Sequence, residues 1–413
     1  MLNRLKKIDK FSRNIFIVFT GTSLANLLNL FYQLLIAHSL SAFEFAAFNS
    51  LLSVFMLIAT PVGTLQLAMA KYTSKFRAAG QTSKITYLFS GLLKKVSVFA
   101  ILAFLIFTFS SRGIINALKI DSLASGYILA GTVGVVCLVP LFLGGVQGLE
   151  LFGWYSSSQA AGGILKLASV AVFLYLGYGI AGSLGALLIS AAVSLIILYL
   201  PLKKYISFAL PREDVDYRGV LIYLFPVAAA NFCFINLVSF DMVWVKYFFA
   251  PQDSGAYALA QMLGKIFLFL PGAISIVMFP RTSGLSAGNQ ETLSTLSKSL
   301  KYVVLLSGAA MIFYNLFPVF VLKILTGKSF PEAVFLGRLF SVSMSLYALL
   351  FIMISYFLSV KDLRFLGYLA GFLLLQNALV VIFHPSLVAV QLILCFCGAS
   401  LLLIHLFLAY KKR

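Results

Sequence analysis

The chain has 413 residues, 61% of them hydrophobic and only 10% charged, with 31 Lys and Arg against 12 Asp and Glu. A soluble domain carries nearer ~25% charged residues, so this composition excludes a soluble globular protein. It also removes the nucleic-acid reading of the +19 net charge, because in a polytopic membrane protein cations gather beside the spans and set their orientation.

The segment Met1 to Arg13 is basic and leads into the apolar run Asn14 to Ala37, which has no small-residue cleavage site. That pattern predicts a retained first span and not a signal peptide. Apolar runs broken at polar clusters predict twelve spans, at 14–38, 43–70, 92–110, 123–148, 153–176, 180–200, 220–248, 254–279, 300–322, 332–358, 363–383 and 387–409. An even number places both tails on one side. That side, with the loops after spans 2, 4, 6, 8 and 10, holds twenty-three Lys and Arg, and the other holds six: Arg112, Lys119, Lys246, Lys323, Lys328 and Arg338. The imbalance predicts that both tails are cytoplasmic.

In span 1, Thr22, Asn26, Asn29 and Gln33 recur at intervals of four, three and four, which puts them on one helical face. Span 2 has a similar stripe in Asn49, Ser53, Thr60 and Thr64. Two readings fit such stripes: lining of a wet cavity, or interhelical hydrogen bonds worth about 0.6 kcal/mol each. The cavity reading is adopted here. Glu150 and Trp154, at the turn after span 4, read as interface residues.

Lys166 lies mid-way along span 5 and Lys265 mid-way along span 8, too deep for an ammonium to reach either surface. A charge at the bilayer centre costs at least about 2.5–3.5 kcal/mol on insertion scales, so each is a candidate site residue. Ser158, Gly162 and Ser169 share the Lys166 face, and Tyr257, Gln261 and Gly272 share that of Lys265. The competing reading is a buried ion pair with Asp241 or Glu150. Asp241, in span 7, has three readings: counter-ion to a lysine, site for a coupling proton or sodium ion, or plain interface residue. Asn26, Asn29, Gln33, Asn49, Asn231, Gln261, Lys166 and Lys265 are together expected to line the substrate cavity.

The polar stretch Lys203 to Gly219 separates an amino-terminal lobe, residues 1–200, from a carboxy-terminal lobe, 220–413, with 201–219 as a cytoplasmic linker. The hairpin 225–281 echoes an earlier one. Glu44 matches Asp253, Phe48 matches Tyr257, Pro61 matches Pro271 and Lys71 matches Arg281, at offsets of 209 or 210 residues, which predicts a parallel internal repeat. Both prolines are expected to interrupt their helices. Cys137, Cys233, Cys395 and Cys397 and the scattered His38, His384 and His405 predict neither disulfides nor a metal cluster.

Within Asn231 to Arg281, the run "LVSFDMVWVKYFFAPQDSGAYALAQMLGKIFLFLPGAISIVMFPR" resembles the carboxy-terminal half of the polysaccharide flippases. These belong to the multidrug/oligosaccharidyl-lipid/polysaccharide (MOP) exporter superfamily. Further likenesses are "NLFYQLLIAHSLSAFEFAAFNSLLSVF" (29–55), "GGVQGLELFGWYSSSQAAGGILK" (144–166) and "ILTGKSFPEA" (324–333). The resemblance implies an all-α integral membrane protein with twelve helices in two six-helix lobes around a central cavity. It implies movement of lipid-linked oligosaccharide from the inner to the outer leaflet of the cytoplasmic membrane by alternating access. The chain is short for the fourteen helices of the peptidoglycan-precursor flippases.

On this reading the protein is not an enzyme and has no catalytic residue, metal or cofactor beyond a coupling proton or sodium ion. Its partners are the lipid-linked substrate, membrane lipids, and polysaccharide polymerase or glycosyltransferase machinery. A cation-coupled multidrug exporter of the same superfamily is the main alternative, although it calls for acidic rather than basic cavity residues. A membrane polymerase or ligase would need a large outward loop, which the chain lacks. A non-transporting scaffold of a polysaccharide synthesis complex stays open.

Overall fold

A computed structural model describes residues 10–207, 213, 217–269, 274, 275, 278, 282, 290–328 and 330–411. The described residues are helical throughout apart from short connections. Hydrocarbon offers backbone groups no hydrogen-bond partner, so a chain this apolar satisfies them within helices. Ten helical segments among the described residues are long and apolar enough to cross a bilayer. This is a multi-pass, all-α membrane protein.

In chain order the helices are α1 (Lys10–Ser39), α2 (Ala42–Ala78), α3 (Thr82–Ala117), α4 (Leu123–Val136), α5 (Val139–Gly148), α6 (Phe152–Tyr175) and α7 (Gly179–Leu202). They continue with α8 (Tyr217–Ser239), α9 (Asp241–Phe248), α10 (Pro251–Phe269), α11 (Gln290–Leu316), α12 (Pro318–Thr326), α13 (Pro331–Ser359), α14 (Phe365–Ile382) and α15 (Leu387–Tyr410). Spans 5, 6, 10, 11 and 12 of the sequence reading match α6, α7, α13, α14 and α15 closely. Three other expected spans are divided, into α4 and α5, α8 and α9, and α11 and α12. Two of these divisions coincide with a proline in the first turn of the next helix, Pro140 or Pro318, where its missing N–H costs nothing.

Two expectations about helix ends need correction. Pro61 does not interrupt its helix: α2 runs unbroken through it. The Thr64 hydroxyl donates to the Pro61 carbonyl at 2.6 Å, the kind of local bond by which membrane helices tolerate proline. The gap left between the expected spans 220–248 and 254–279 is shorter than the sequence suggests, because α10 already begins at Pro251, with Asp253 beside the helix N-terminus. Pro271, Gly272 and Arg281 lie outside the described residues, and so does most of the expected span 254–279 beyond Phe269.

The chain forms two compact units: Met1–Ser39 with Ile58–Leu224, and Leu40–Leu57 with Phe225–Arg413. Residues 40–57 thus group with the carboxy-terminal helices, where the sequence reading had one continuous lobe over 1–200. Helix α2 is shared between the units, and so is α8, which changes over next to Pro226.

In the first unit, α6 packs against α1 and α7, and α4 against α3 and α7. Apolar burial drives little association in lipid, so close approach matters more. It is supplied by Gly144 and Gly148 on α5: a Cβ at the first would stand 2.5 Å from the Gln66 carbonyl oxygen, and at the second 2.8 Å from that of Ala70. Phe89 and Phe142 meet edge to face there at 5.1 Å. In the second unit α13 is central, packed by α10, α11 and α15. Its serines 341, 345 and 359 are buried and donate to carbonyls of their own helix, so they add small volume without an unpaired hydroxyl.

Candidate functional site

The first unit brings Lys166 of α6 to the face of α1 that carries Asn29 and Tyr32. These two are three residues apart and therefore neighbours on the helix surface. The Lys166 ammonium donates to Asn29 Oδ1 at 2.6 Å and stands 4.8 Å from the centre of the Tyr32 ring, a cation–π contact. Tyr32 is buried, and its hydroxyl donates to the Ser183 carbonyl in the first turns of α7 at 2.8 Å. Helices α1 and α7 therefore fix the ring on which the lysine of α6 rests. No carboxylate lies within ion-pair distance of Lys166 among the described residues. Glu150, the pairing partner weighed for it, is taken by Arg77 at 2.9 Å.

Lys166 is half-buried while Asn29 and Asn26 are exposed on the unit's surface, so the ammonium can be approached from outside the unit. Gln33 and Thr22 are half-buried, and the Thr22 hydroxyl donates to the Val18 carbonyl. The polar company expected for Lys166 does something else. Ser158 is fully buried, and its carbonyl accepts from Ser194 of α7 at 3.1 Å. A Cβ at Gly162 would meet Ser194 Oγ at 2.5 Å, so both residues serve the α6–α7 seam. Ser169 donates back to the Leu165 carbonyl.

The second unit organises itself around Asp241, 2% exposed, at the start of α9. Tyr257 Oη donates to its Oδ2 at 2.7 Å, and Gln261 Nε2 donates to Oδ1 at 3.0 Å. Gln391 Nε2 of α15 donates to Tyr257 Oη at 2.7 Å, and Ser343 of α13 donates to Gln391 Oε1 at 3.2 Å. Four helices thus contribute to one buried polar chain ending on a carboxylate, whose first partners are neutral donors. Gln261 Oε1 is left buried without a partner. Lys265, half-buried and one turn beyond Gln261 on the same face of α10, makes no contact ion pair with Asp241, but their opposite charges attract through space. Asp241 is therefore buried within the unit, with Lys265 a through-space and not a contact partner.

Other expectations fall differently. Asn49 is 5% exposed with its amide donated to the Phe45 carbonyl at 2.8 Å, and Ser53 donates to the Asn49 carbonyl, so this part of the stripe is sealed within the second unit, while Thr60 and Thr64 fall in the first. Gln261 is likewise sealed, inside the Asp241 network. A helical period tells which residues share a face but not what that face meets. Asn231 is half-buried on α8. Lys246 is no loop cation: it is 2% exposed, with its ammonium 3.4 Å from the centre of the Phe43 ring.

Sequence reasoning missed Tyr32, Gln391 and Ser343. A lone glutamine in the apolar run of α15 was the one available signal. Gln376 and Asn377 form a further polar pair on α14: Gln376 donates to the Leu237 carbonyl, and Asn377 bonds both Asn236 and the Trp244 indole.

No curated protein matches the chain in sequence. Among solved structures it is similar to an inward-facing multidrug resistance MATE family transporter of the MOP superfamily, with a TM-score of 0.78 at 13% identity over 96% of this chain and 99% of that one. It is similar as well to the lipid II flippase MurJ in an inward closed conformation, with a TM-score of 0.69 at 15% identity over 96% of this chain and 87% of that one. A MOP superfamily transporter from Pyrococcus furiosus, described as having a binding pocket of reverse polarity, gives 0.61 at 15% identity over 96% and 94%. These likenesses establish a shared fold. The family model for polysaccharide biosynthesis proteins matches residues 11–286, about two thirds of the sequence, and the chain therefore belongs to that polysaccharide biosynthesis protein family.

Proposed function

We propose that the protein is a flippase that carries a polyprenyl-diphosphate-linked oligosaccharide from the inner to the outer leaflet of the cytoplasmic membrane by alternating access, without covalent chemistry. The observation that carries this reading is Lys166: a cation inside a membrane helix, held only by an amide oxygen and an aromatic face among its described contacts. An isolated charge is too costly to leave in hydrocarbon unless it does something, and a diphosphate cannot cross uncompensated. Neutral ligands keep the ammonium ordered while leaving its charge unmatched, which suits an anionic cargo. Lysine, as a point charge, can follow a phosphate that moves, where a bidentate arginine would hold it. Lys265 is the second cation of this pathway, and Asn26, Asn29, Gln33 and Asn231 are its polar lining.

On the same reading both termini are cytoplasmic, the two halves descend from a duplication, and polymerase or glycosyltransferase machinery supplies and consumes the cargo. Asp241, a buried carboxylate with an unpartnered amide oxygen beside it, is the site proposed for a coupling proton or sodium ion. Its acidity also favours a second reading, a cation-coupled multidrug exporter, in keeping with the MATE family transporters that share the fold.

The test is transport in proteoliposomes loaded with a fluorescent polyprenyl-diphosphate disaccharide, read with a membrane-impermeant quencher. Native protein should expose the inner-leaflet pool, and Lys166→Gln should abolish that exposure at unchanged protein level, with Lys166→Arg restoring part of it. Equal rates for native protein and a Lys166→Gln/Lys265→Gln double variant would overturn the proposal. Efflux of a lipophilic cation by both would transfer it to the exporter reading.

A further inference from the structure

The first half of α2 is held within the second unit at three chemically different points. Lys328, in the turn between α12 and α13, donates its ammonium to the Leu40 carbonyl at 2.6 Å. Lys246, in the last turn of α9, lies against the Phe43 ring. Gly255, in the first turn of α10, approaches Ala42 so closely that a Cβ added to it would stand 2.9 Å from Ala42 Cβ and 3.1 Å from the Ala42 carbonyl oxygen. Gly255 is therefore glycine because α2 begins against it.

The held end is itself rigid. Ser41 and Glu44 form a reciprocal capping box: the Ser41 amide donates to Glu44 Oε2 at 2.9 Å, and the Glu44 amide donates to Ser41 Oγ at 3.2 Å. Burial pushes the Lys328 ammonium below its ordinary range while the Glu44 carboxylate works the other way, so acid and base share one small site at this end. Behind the cap, Phe45, Phe48, Asn49, Leu51 and Ser53 are buried.

The packing of α2 then changes abruptly. Residues up to Leu57 group with the second unit and those from Ile58 with the first. Pro61 has no N–H for the carbonyl four residues back, and that carbonyl belongs to Leu57. The helical ladder is thus weakest where the helix changes company. None of the three anchors is a covalent bond.

We propose that residues 40–57 of α2 are a latch, seated on α9, α10 and the Lys328 turn in the state described here and released as one helical piece by bending at Pro61 when the protein changes state. The Lys328 turn lies on the side that the cation imbalance assigns to the outside. The inference rests on the transport reading only in that a transporter must change state, and its test reads motion and not cargo.

The probe is a single cysteine at Ser53, whose side chain is sealed while the latch is seated. With the four native cysteines replaced and the protein in nanodiscs, the rate at which a polar maleimide labels Ser53→Cys reports release. Lys328→Gln should speed labelling about tenfold, the equilibrium shift that corresponds to loss of one charge-assisted hydrogen bond. In an Ala42→Cys/Gly255→Cys background, where the Cβ atoms need separate by only about 1 Å to reach disulfide geometry, oxidation should cut labelling to background and dithiothreitol should restore it. Equal labelling of the oxidised and reduced forms would overturn the latch. Should the double cysteine variant not fold, Lys328→Gln and Lys246→Met labelled at the native rate would overturn it equally. A flippase assay failing while these rates respond as expected would discard the cargo and leave the latch standing.

Discussion

Replacing Asn29 by aspartate changes one atom of substance at the Lys166 site and reverses its electrostatics. The amide oxygen sits 2.6 Å from the ammonium, and a carboxylate oxygen there would attract it by about 6 kcal/mol at an effective dielectric of ~20. Lys166 is only half-buried and Asn29 is exposed, so solvent screening reduces this to about 1.5–3 kcal/mol, the net range for hydrogen bonds to charged groups. An anion competing for the lysine must overcome that pairing, so binding should weaken about ten- to hundredfold. The assay is equilibrium binding of farnesyl diphosphate, a soluble short-chain polyprenyl diphosphate, to native protein, Asn29→Asp and Lys166→Gln in nanodiscs. Because the new pair is attractive, Asn29→Asp should melt no lower than native protein, which separates lost binding from lost folding. Native-like affinity in the aspartate variant would refute the idea that the unmatched charge of Lys166 receives the anion.

Tyr32→Phe removes the bond to the Ser183 carbonyl and should cost about 0.5–1.5 kcal/mol of stability with affinity for the same probe retained. Tyr32→Leu should also lose the cation–π contact and bind a further two- to thirtyfold more weakly, since such contacts are worth about 0.5–2 kcal/mol. Gly148→Val should destabilise by about 1–3 kcal/mol or more, because its Cβ would press on Thr73 and the Ala70 carbonyl. Gly371→Ala, with open space around it, should be neutral or stabilising by up to about 1 kcal/mol in the same melting assay. Gln391→Leu removes a donor to Tyr257 and an acceptor for Ser343 and should cost about 1–3 kcal/mol, while Arg77→Ala, which breaks a solvent-exposed pair, should cost under about 1 kcal/mol.

The spans were legible because each is a continuous apolar run, and Lys166 and Lys265 were legible because a cation in such a run is conspicuous. Asn29 was legible as a member of a face and not as the partner of Lys166, since the two lie 137 residues apart and a single sequence carries no pairing information at that distance. Tyr32 was not legible at all: a tyrosine in an apolar run looks the same whether it anchors at an interface or supports an ammonium. Lys246 was misread for a related reason. It stands next to the turn at 249–250, yet Phe43 arrives from a distant helix to pack against its ammonium. The Asn49 stripe has the same period as the Asn29 stripe, but residues 40–57 pack into the second unit and residues 21–33 keep part of their face exposed. Breaks such as 137–138 leave hydrophobicity uninterrupted, so composition alone could not place them.

The two intramembrane lysines, each midway along a span in the sequence, are not equivalent in the folded chain. Lys265 is attracted through space to a carboxylate that is already satisfied by Tyr257 and Gln261, so its charge is partly offset by a group that does not grip it. Lys166 has no such offset among its described neighbours; its amide and aromatic ligands order the side chain without neutralising it. A carrier must bind an anion strongly enough to desolvate it and weakly enough to let it go. A cation held by neutral ligands meets the first need, because an incoming phosphate replaces an amide and gains a charge. A cation whose field is offset from a distance meets the second, because the anion there competes with a carboxylate that cannot leave. On the proposed flippase reading, the unequal surroundings of Lys166 and Lys265 would supply both conditions within one polypeptide, with no acidic group brought to Lys166.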